Sequence, residues 1–539
     1  MKKFLAFLFV AVLLVSSCEA KTPAEDIIIL YTNDVHCGID DSIGYAGLSF
    51  YRDEMKKVSP YVTLVDAGDW ASGGVIGTIS RGEYLLDLMN KAKYDIAVPG
   101  NHDFDYGMEQ FMKFAQSLDC GLISSNFRDI RTGETILKPY KILEYGDVKV
   151  AFIGATTPET FVKSTPSFFK DTDGNYIYSF DGEEEGKKLY ATIQNAVDEV
   201  RGKGVDYVIL VAHLGEYEDI TQTCWSAPAV VENTRGIDVV IDGHSHEVTP
   251  ALKIKNLDGQ DIIITQAGTK LFYVGKLTIN KEGEFSTALI SSGDITGKDE
   301  NISKYISDIK ASYESSLNQK LSHTDFDLLA KGEDGKWLVR NGETNLSNLV
   351  TDAVLAASAK TSAGKADIAV YNAGGIRTNI KAGDITLRNV FDVLPFINYI
   401  CMVEVPGQSI LDDLEIGARL APLNYGGFLH VAGMTYTIDT TIPSPVVIND
   451  RNDVIAISGD RRISEVFVNG EPLDPKKIYK VISVDYVLLA NGDGHLFKGA
   501  KIIEPAFALA YEIFGDYVNQ FETLPEKYKT PQGRIKIKK

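Results

Sequence analysis

From residue 26 to about residue 285 the chain repeats one device: a short run rich in β-branched residues, a turn rich in Gly, Asp, Asn or His, then a segment of helical character. "DIIILYTND", "YVTLVDAGD", "YDIAVPGNHDFD", "VDYVILVAHLGE" and "IDVVIDGHSH" all follow it. Apolar runs without polar alternation suit strands buried on both faces, in sheets covered by helices. The fold implied is α/β, and it gathers the polar residues of every run in one kind of place, the ends of strands.

The texture changes after residue 298. Residues 299–320 begin acidic and place Ile302, Tyr305, Ile306, Ile309, Tyr313 and Leu317 at helical spacing, which predicts one amphipathic helix. Beyond it, residues 321–539 carry a helix at "NLSNLVTDAVLAASA", strands near "ADIAVYNAG", "ICMVEVPG" and "YKVISVDYV", and three glycine-bearing turns. The expected organisation is a domain over 26–298, a connector helix over 299–320 and a second domain over 321–539. A hinge is expected near residues 318–325.

The amino terminus, "MKKFLAFLFVAVLLVSSC", joins two lysines to an apolar run too short to span a bilayer comfortably, as an export leader does. Its ending "LVSSC" resembles a bacterial lipobox, with residues 1–17 removed, Cys18 lipidated and residues 18–25 a tether. An ordinary signal peptide cut nearby is the alternative. No other run reads as a membrane span, so membrane contact is expected only through the lipid. The remaining Cys37, Cys120, Cys224 and Cys401 have no CxxC spacing and are expected as singly buried thiols, though one bridge is open to an exported protein. With 54 basic against 74 acidic residues the net charge is −20. Nucleic acid is a poor partner for such a chain, and a phosphate-bearing substrate would have to find its positive charge in a metal and a few local arginines.

Eight histidines occur, and His36, His102, His213, His244 and His246 all stand in the strand-end turns. Neutral imidazole suits zinc-like ions, while carboxylate and amide oxygens add ligands that Mn²⁺ or Fe²⁺ accept. Asp34 and His36 lie two apart in "TNDVHCG", Asp69 follows Gly68, Asn101 opens "NHDFD", and His244 and His246 flank one serine. Alone, each could be a helix cap or a solvated loop residue. Together, in order on one repeated theme, they point to a metal centre.

The series "ND.H", "GD", "GNHDFD", "H.G" and "GHSH" resembles the calcineurin-like metallophosphoesterases. With the carboxy-terminal "NAGGIR", "LPF", "GGF" and "NGDG" it resembles the 5′-nucleotidase family, which includes bacterial periplasmic UDP-sugar hydrolases and ecto-5′-nucleotidase. The resemblance implies a two-sheet α/β sandwich followed by an α+β substrate-binding domain. It implies two divalent ions, Zn, Mn, Co or Fe. One would be held by Asp34, His36, Asp69 and His246, the other by Asp69, Asn101, His213 and His244, with Asp69 bridging. It also implies a catalytic pair, His102 oriented by Asp105. Cyclic-nucleotide phosphodiesterases of the superfamily often carry Asn where Asp105 stands, so "GNHDFD" favours a monoesterase or diphosphatase.

In the second domain the resemblance gives Arg377, with Gly374, Gly375 and Asn372 in its turn, the substrate phosphate, and Arg419 is a candidate second arginine. Phe428 is expected on one face of a nucleobase and Tyr486 on the other, although "YVLLANGDG" departs from the usual spacing before Asp493, the expected ribose ligand. The implied function is an exported, dinuclear-metal 5′-nucleotidase in the bacterial envelope that acts on nucleoside monophosphates for extracellular nucleotide salvage. UDP-sugars, other nucleotide diphosphates and 2′,3′-cyclic nucleotides are alternative substrates. An inactive nucleotide-binding surface lipoprotein is the alternative of another class. Oligomeric state is not legible.

Overall fold

The computed structural model describes residues 20–171, 175–216, 222–448 and 454–538. The leader and Cys18 lie outside the described residues. Within them, no helix is long and apolar enough to cross a membrane.

The amino-terminal half stacks two sheets face to face. The first has the strand order Phe285–Ser291, Tyr273–Ile279, Ile27–Thr32, Tyr61–Asp66, Ile96–Ala97. The second runs Val248–Lys255, Asp261–Ala267, Val239–Ile241, Tyr207–His213, Val148–Thr156, Tyr140–Tyr145. The strands Ile27–Thr32 and Tyr61–Asp66 pair in parallel, as do Val148–Thr156, Tyr207–His213 and Val239–Ile241, so the chemistry-bearing turns leave both sheets at carboxyl ends. Ile29, Tyr31, Val65, Phe152, Ile209 and Val239 form the dry layer between the sheets, where the Tyr31 and Thr265 hydroxyls meet at 2.5 Å. Helices Gly44–Val58, Glu83–Ala92 and Met108–Ser117 cover the outer face of the first sheet, and Lys187–Gly202 covers that of the second.

The carboxy-terminal half is built on a mixed sheet ordered Leu429–Ala432, Ile368–Asn372, Ile478–Val484, Tyr399–Pro406, Lys501–Leu509, with helices Asn345–Ala357, Leu387–Val393, Gly407–Ala418 and Ala510–Val518 packed in its core. The chain therefore has a two-sheet α/β half and a second half of mixed sheet and helix.

Helix Glu300–Leu317 joins them, its start capped by the Asp299 carboxylate, which accepts from the Asn301 and Ile302 amides. Its apolar stripe is shared: Ile302, Ile306 and Ile309 bury in the amino-terminal core, while Leu317 buries in the carboxy-terminal one. Strand Lys320–Thr324 then pairs with Gly383–Thr386, which fixes the chain to the second half immediately after the helix.

All four described cysteines are free; Cys37 and Cys401 are buried, whereas Cys120 and Cys224 are only half-buried and so depart from the expectation of buried thiols.

Candidate active site

The turns after the parallel strands are held in one cluster by their own backbones. The Asp34 amide donates to the Gly68 carbonyl at 2.9 Å and the His36 amide to the Asp69 carbonyl at 3.0 Å. Asp34, His36, Asp69, His244 and His246 all have positive φ, between 42° and 80°. Each such non-glycine residue costs roughly 1 to 2 kcal/mol, a strain that the surrounding structure must over-determine. Close approach sets the glycines too: a Cβ on Gly68 would stand 2.6 Å from the Gly100 amide nitrogen, and one on Gly100 would stand 2.2 Å from Asp69 Oδ1.

Two donor groups result, Asp34 with His36 and His246, and Asp69 with His213 and His244; within each, the candidate ligand atoms lie within 4.8 Å of one another. His36 Nε2 is 3.0 Å from His246 Nε2 and 3.8 Å from Asp34 Oδ1. Asp69 reaches both groups, with Oδ2 3.2 Å from His213 Nε2 and 3.7 Å from His36 Nε2. Outer partners choose the free nitrogen of three imidazoles. His36 Nδ1 donates to the Ser72 carbonyl, His213 Nδ1 to the Ala67 carbonyl and His244 Nε2 to the Glu159 carboxylate, which leaves Nε2, Nε2 and Nδ1 respectively for an ion.

The residues present fit a pair of divalent ions. Asn101 Oδ1 and His213 Nε2 are buried and make no hydrogen bond, an expensive state for polar atoms that a metal relieves. Burial would raise the Asp69 carboxyl, yet the imidazoles of His213, His102 and His36 hold it well below the usual carboxylate range, so the cluster keeps a buried carboxylate ionised. Imidazole nitrogen mixed with carboxylate and amide oxygen suits Zn, Mn, Fe or Co better than Ca or Mg.

Beside this cluster, His102 Nδ1 donates to Asp105 Oδ2 at 2.8 Å, and the His102 amide donates to Asp69 Oδ1 at 2.7 Å. Ser72 Oγ donates to the same Asp105 oxygen at 2.8 Å. Burial favours neutral imidazole at His102, but the Asp105 and Asp69 carboxylates outweigh it and push the group up to about 10. Asp103 plays a different part: its carboxylate accepts the amides of Gly100, Asp69, Trp70 and Ala71, tying the Asn101 loop to the Asp69 turn.

His36, His102 and Asp105 open onto a cavity of about 480 Å³ between the two halves, and Phe396, Asn398 and Tyr486 line its far side. Those same three residues line a second cavity of about 450 Å³ with Arg340, Asn372, Gly374, Gly375, Arg377, Tyr425 and Asp493. Asn372 Nδ2 donates to Asp493 Oδ2 at 3.0 Å, and the Tyr486 side chain also bonds this carboxylate.

Two expected residues stand elsewhere. Phe428 is 1% exposed and packed in the carboxy-terminal core, because its carbonyl already accepts the Ala373 amide at the start of strand Leu429–Ala432. The aromatic of that turn facing the cavity is Tyr425, whose hydroxyl donates to the Asp493 carbonyl. Arg419 does not line the cavity; its guanidinium stacks on the Tyr425 ring at 4.6 Å. The second arginine there is Arg340. Its sequence context, "WLVRNGETN", has no glycine pair to mark it, and Glu159 in "TTPET" is equally unmarked.

Residues 27–248 match the family described as calcineurin-like phosphoesterase, and residues 330–501 match the 5′-nucleotidase C-terminal domain. A trifunctional nucleotide phosphoesterase of Bacillus subtilis (strain 168) is 28% identical over 95% of this chain, which spans 35% of that protein's length. The 5′-nucleotidase of Vibrio vulnificus (strain CMCP6) is 26% identical over 95% of this chain and 93% of its own. The crystal structure of a 5′-nucleotidase precursor from Thermus thermophilus superposes with a TM-score of 0.56 at 24% identity, covering 95% of this chain and 99% of the other. Carrying the two matched domains one after the other, the chain belongs to the 5′-nucleotidase family of metal-dependent phosphoesterases.

Proposed function

We propose that the protein is an exported 5′-nucleotidase that hydrolyses nucleoside 5′-monophosphates to nucleoside and phosphate for extracellular salvage. The observation that carries this reading is the adjacency of two cavities, one faced by His36, His102 and Asp105 and the other by two arginines and two tyrosines, which share Phe396, Asn398 and Tyr486 in their linings. A phosphate ester attached to a flat base fits that sequence of groups.

Asp34, His36 and His246, and Asp69, Asn101, His213 and His244, would hold two divalent ions, which when bound would activate a water and neutralise charge in an in-line displacement. The chain's own residues do the rest. Arg340 and Arg377 orient the phosphate by their N–H edges, and Tyr425 and Tyr486 flank the base. The Asp493 carboxylate takes a ribose hydroxyl. With Nδ1 held by Asp105, His102 turns Nε2–H toward a phosphoryl oxygen as charge develops on it.

In this reading residues 26–298 form the catalytic domain, 299–320 the connector and 321–539 the substrate domain, with the hinge near residues 318–325, where strand Lys320–Thr324 follows helix Glu300–Leu317. Cys18 carries the lipid that keeps the enzyme at the cell envelope.

The test is a panel of AMP, UMP, UDP-glucose and 2′,3′-cyclic AMP on purified protein. Phosphate release from AMP and UMP, abolished by chelator and restored by Mn²⁺ or Zn²⁺, is the expected result. Turnover of the cyclic ester alone would overturn the inference from Asp105, and no turnover of any would leave an inactive binding protein.

The exchange of roles between Tyr425 and Phe428 separates binding from stability. Tyr425→Ala is expected to raise KM for AMP about tenfold through lost stacking, and, because the ring is largely buried and its hydroxyl bonds the Asp493 carbonyl, to lower the melting temperature as well, but by less than Phe428→Ala. Phe428→Ala is expected to cost about 3 to 5 kcal/mol of unfolding free energy by opening a core cavity. Denaturant unfolding and Michaelis–Menten kinetics on both variants check this, and the reverse pattern would return Phe428 to the site.

A further inference from the structure

The arginines of the second cavity share an indole. Trp337 does not line the cavity, yet its ring centroid is 4.2 Å from the Arg340 guanidinium carbon and 5.6 Å from that of Arg377. Lys331 Nζ stands 4.1 Å from the same ring, and the Arg377 guanidinium is also 5.6 Å from the Phe396 ring. Among the described residues neither arginine is paired directly with a carboxylate, and the Asp493 carboxylate, which lines the same cavity, acts on Arg340 from a distance. Arg340 Nε is buried and makes no hydrogen bond, and Arg377 spends one N–H on the Gly374 carbonyl at 3.2 Å.

Two neighbouring guanidiniums repel each other, and burial together with the Arg377 charge lowers the Arg340 pKa against the opposing pull of the Asp493 carboxylate. A carboxylate would relieve that repulsion, but it would also occupy the N–H donors and cancel the charge that attracts an anion. An aromatic face stabilises a cation without taking up any N–H donor.

The indole is itself held in place. Trp337 lies on a hairpin in which Lys331 bridges to Trp337 and the Gly332 amide donates to the Lys336 carbonyl at 2.9 Å. Asn379, two residues after Arg377, fastens the hairpin base: its Oδ1 accepts the Ala330 and Lys331 amides at 2.7 Å each, and its Nδ2 donates to the Lys331 carbonyl at 2.9 Å. One loop thus carries Arg377 and also fixes the hairpin that bears the ring.

We propose that Trp337 is the positioning residue of this anion site, holding Arg340 and Arg377 side by side with their N–H edges turned to a phosphate group. The proposal rests on the reading of the second cavity as the nucleotide's phosphate-binding place. It predicts a KM effect without a kcat effect. Trp337→Leu, which keeps apolar volume and loses the π face, raises KM for AMP about tenfold with kcat within about twofold, and Trp337→Phe stays within about threefold of wild type in KM.

A second readout does not need turnover. The chain has three tryptophans, so the emission change that inorganic phosphate causes in wild type and not in Trp337→Phe reports on this ring. That difference is expected in the holoenzyme and is expected to vanish in Arg377→Gln. An unchanged KM in Trp337→Leu, or Phe as damaging as Leu, overturns the proposal. If AMP is not hydrolysed at all, the functional reading fails, while the phosphate-dependent emission difference still decides the role of Trp337: its presence supports the proposal and its absence sinks it.

Discussion

Asp69→Ala is expected to lower phosphate release by more than about 10³-fold, the largest single effect in the molecule, because one carboxylate serves both donor groups. Its Oδ2 is 3.2 Å from His213 Nε2 and 3.7 Å from His36 Nε2, and its Oδ1 accepts the His102 amide. Removing it separates the two ligand sets, leaves buried imidazoles without their shared anion and loosens the loop that carries Asn101 and His102. Asp69→Asn keeps the shape and the acceptor but loses the charge, so it is expected to bind metal more weakly and fall between alanine and wild type. Metal content by elemental analysis alongside AMP turnover checks both. Activity within tenfold of wild type at unchanged metal content would remove Asp69 from the bridge.

The donor groups are readable from sequence because strand-end loops expose their chemistry in order. Each apolar run ends where a sheet stops, and the side chains that follow have no core to fill. What sequence does not reveal is the layer that orients them. Glu159 fixes the His244 tautomer from a turn after a different strand, and Ser72 offers its carbonyl to His36 and its hydroxyl to Asp105. Neither residue has a local pattern that distinguishes it from a helix cap, because its role comes from contacts 85 and 36 positions away in the chain.

The substrate domain is harder to read for a related reason. In "NYGGFLHV" either aromatic can be the exposed one, and the choice depends on where the strand begins. The backbone of Phe428 has already joined the sheet through Ala373, so its ring turns inward while Tyr425, before the two glycines, stays at the cavity. Arg377 is marked by its glycine turn. Arg340 reaches the same cavity from a loop that follows a hairpin, and both guanidiniums lie near the Trp337 indole.

His102→Asn is expected to reduce kcat by about 10² to 10³-fold while leaving KM and metal content near wild type. The residue follows a metal-site side chain but its own ring is committed elsewhere: Nδ1 is held by Asp105 at 2.8 Å, and the ring borders the cavity that faces the donor groups. An imidazole fixed in this way stabilises charge that exists only as the ester is cleaved, so its loss falls on kcat. Asp105→Asn keeps a side chain of the same size but withdraws the carboxylate that favours protonated His102. It is expected to lower kcat about 10 to 100-fold. The sign of the pH effect follows: a raised pKa keeps the imidazole charged across neutral pH, so weakening it moves the alkaline limb of the kcat profile to lower pH. Ser72→Ala, which removes a hydroxyl donor from Asp105 Oδ2, is expected to leave that limb in place or move it upward, because it takes away a competitor for the same carboxylate oxygen. Full pH profiles of the three variants, with metal content measured on each, distinguish a charge-stabilising dyad from a loop that merely holds Asn101.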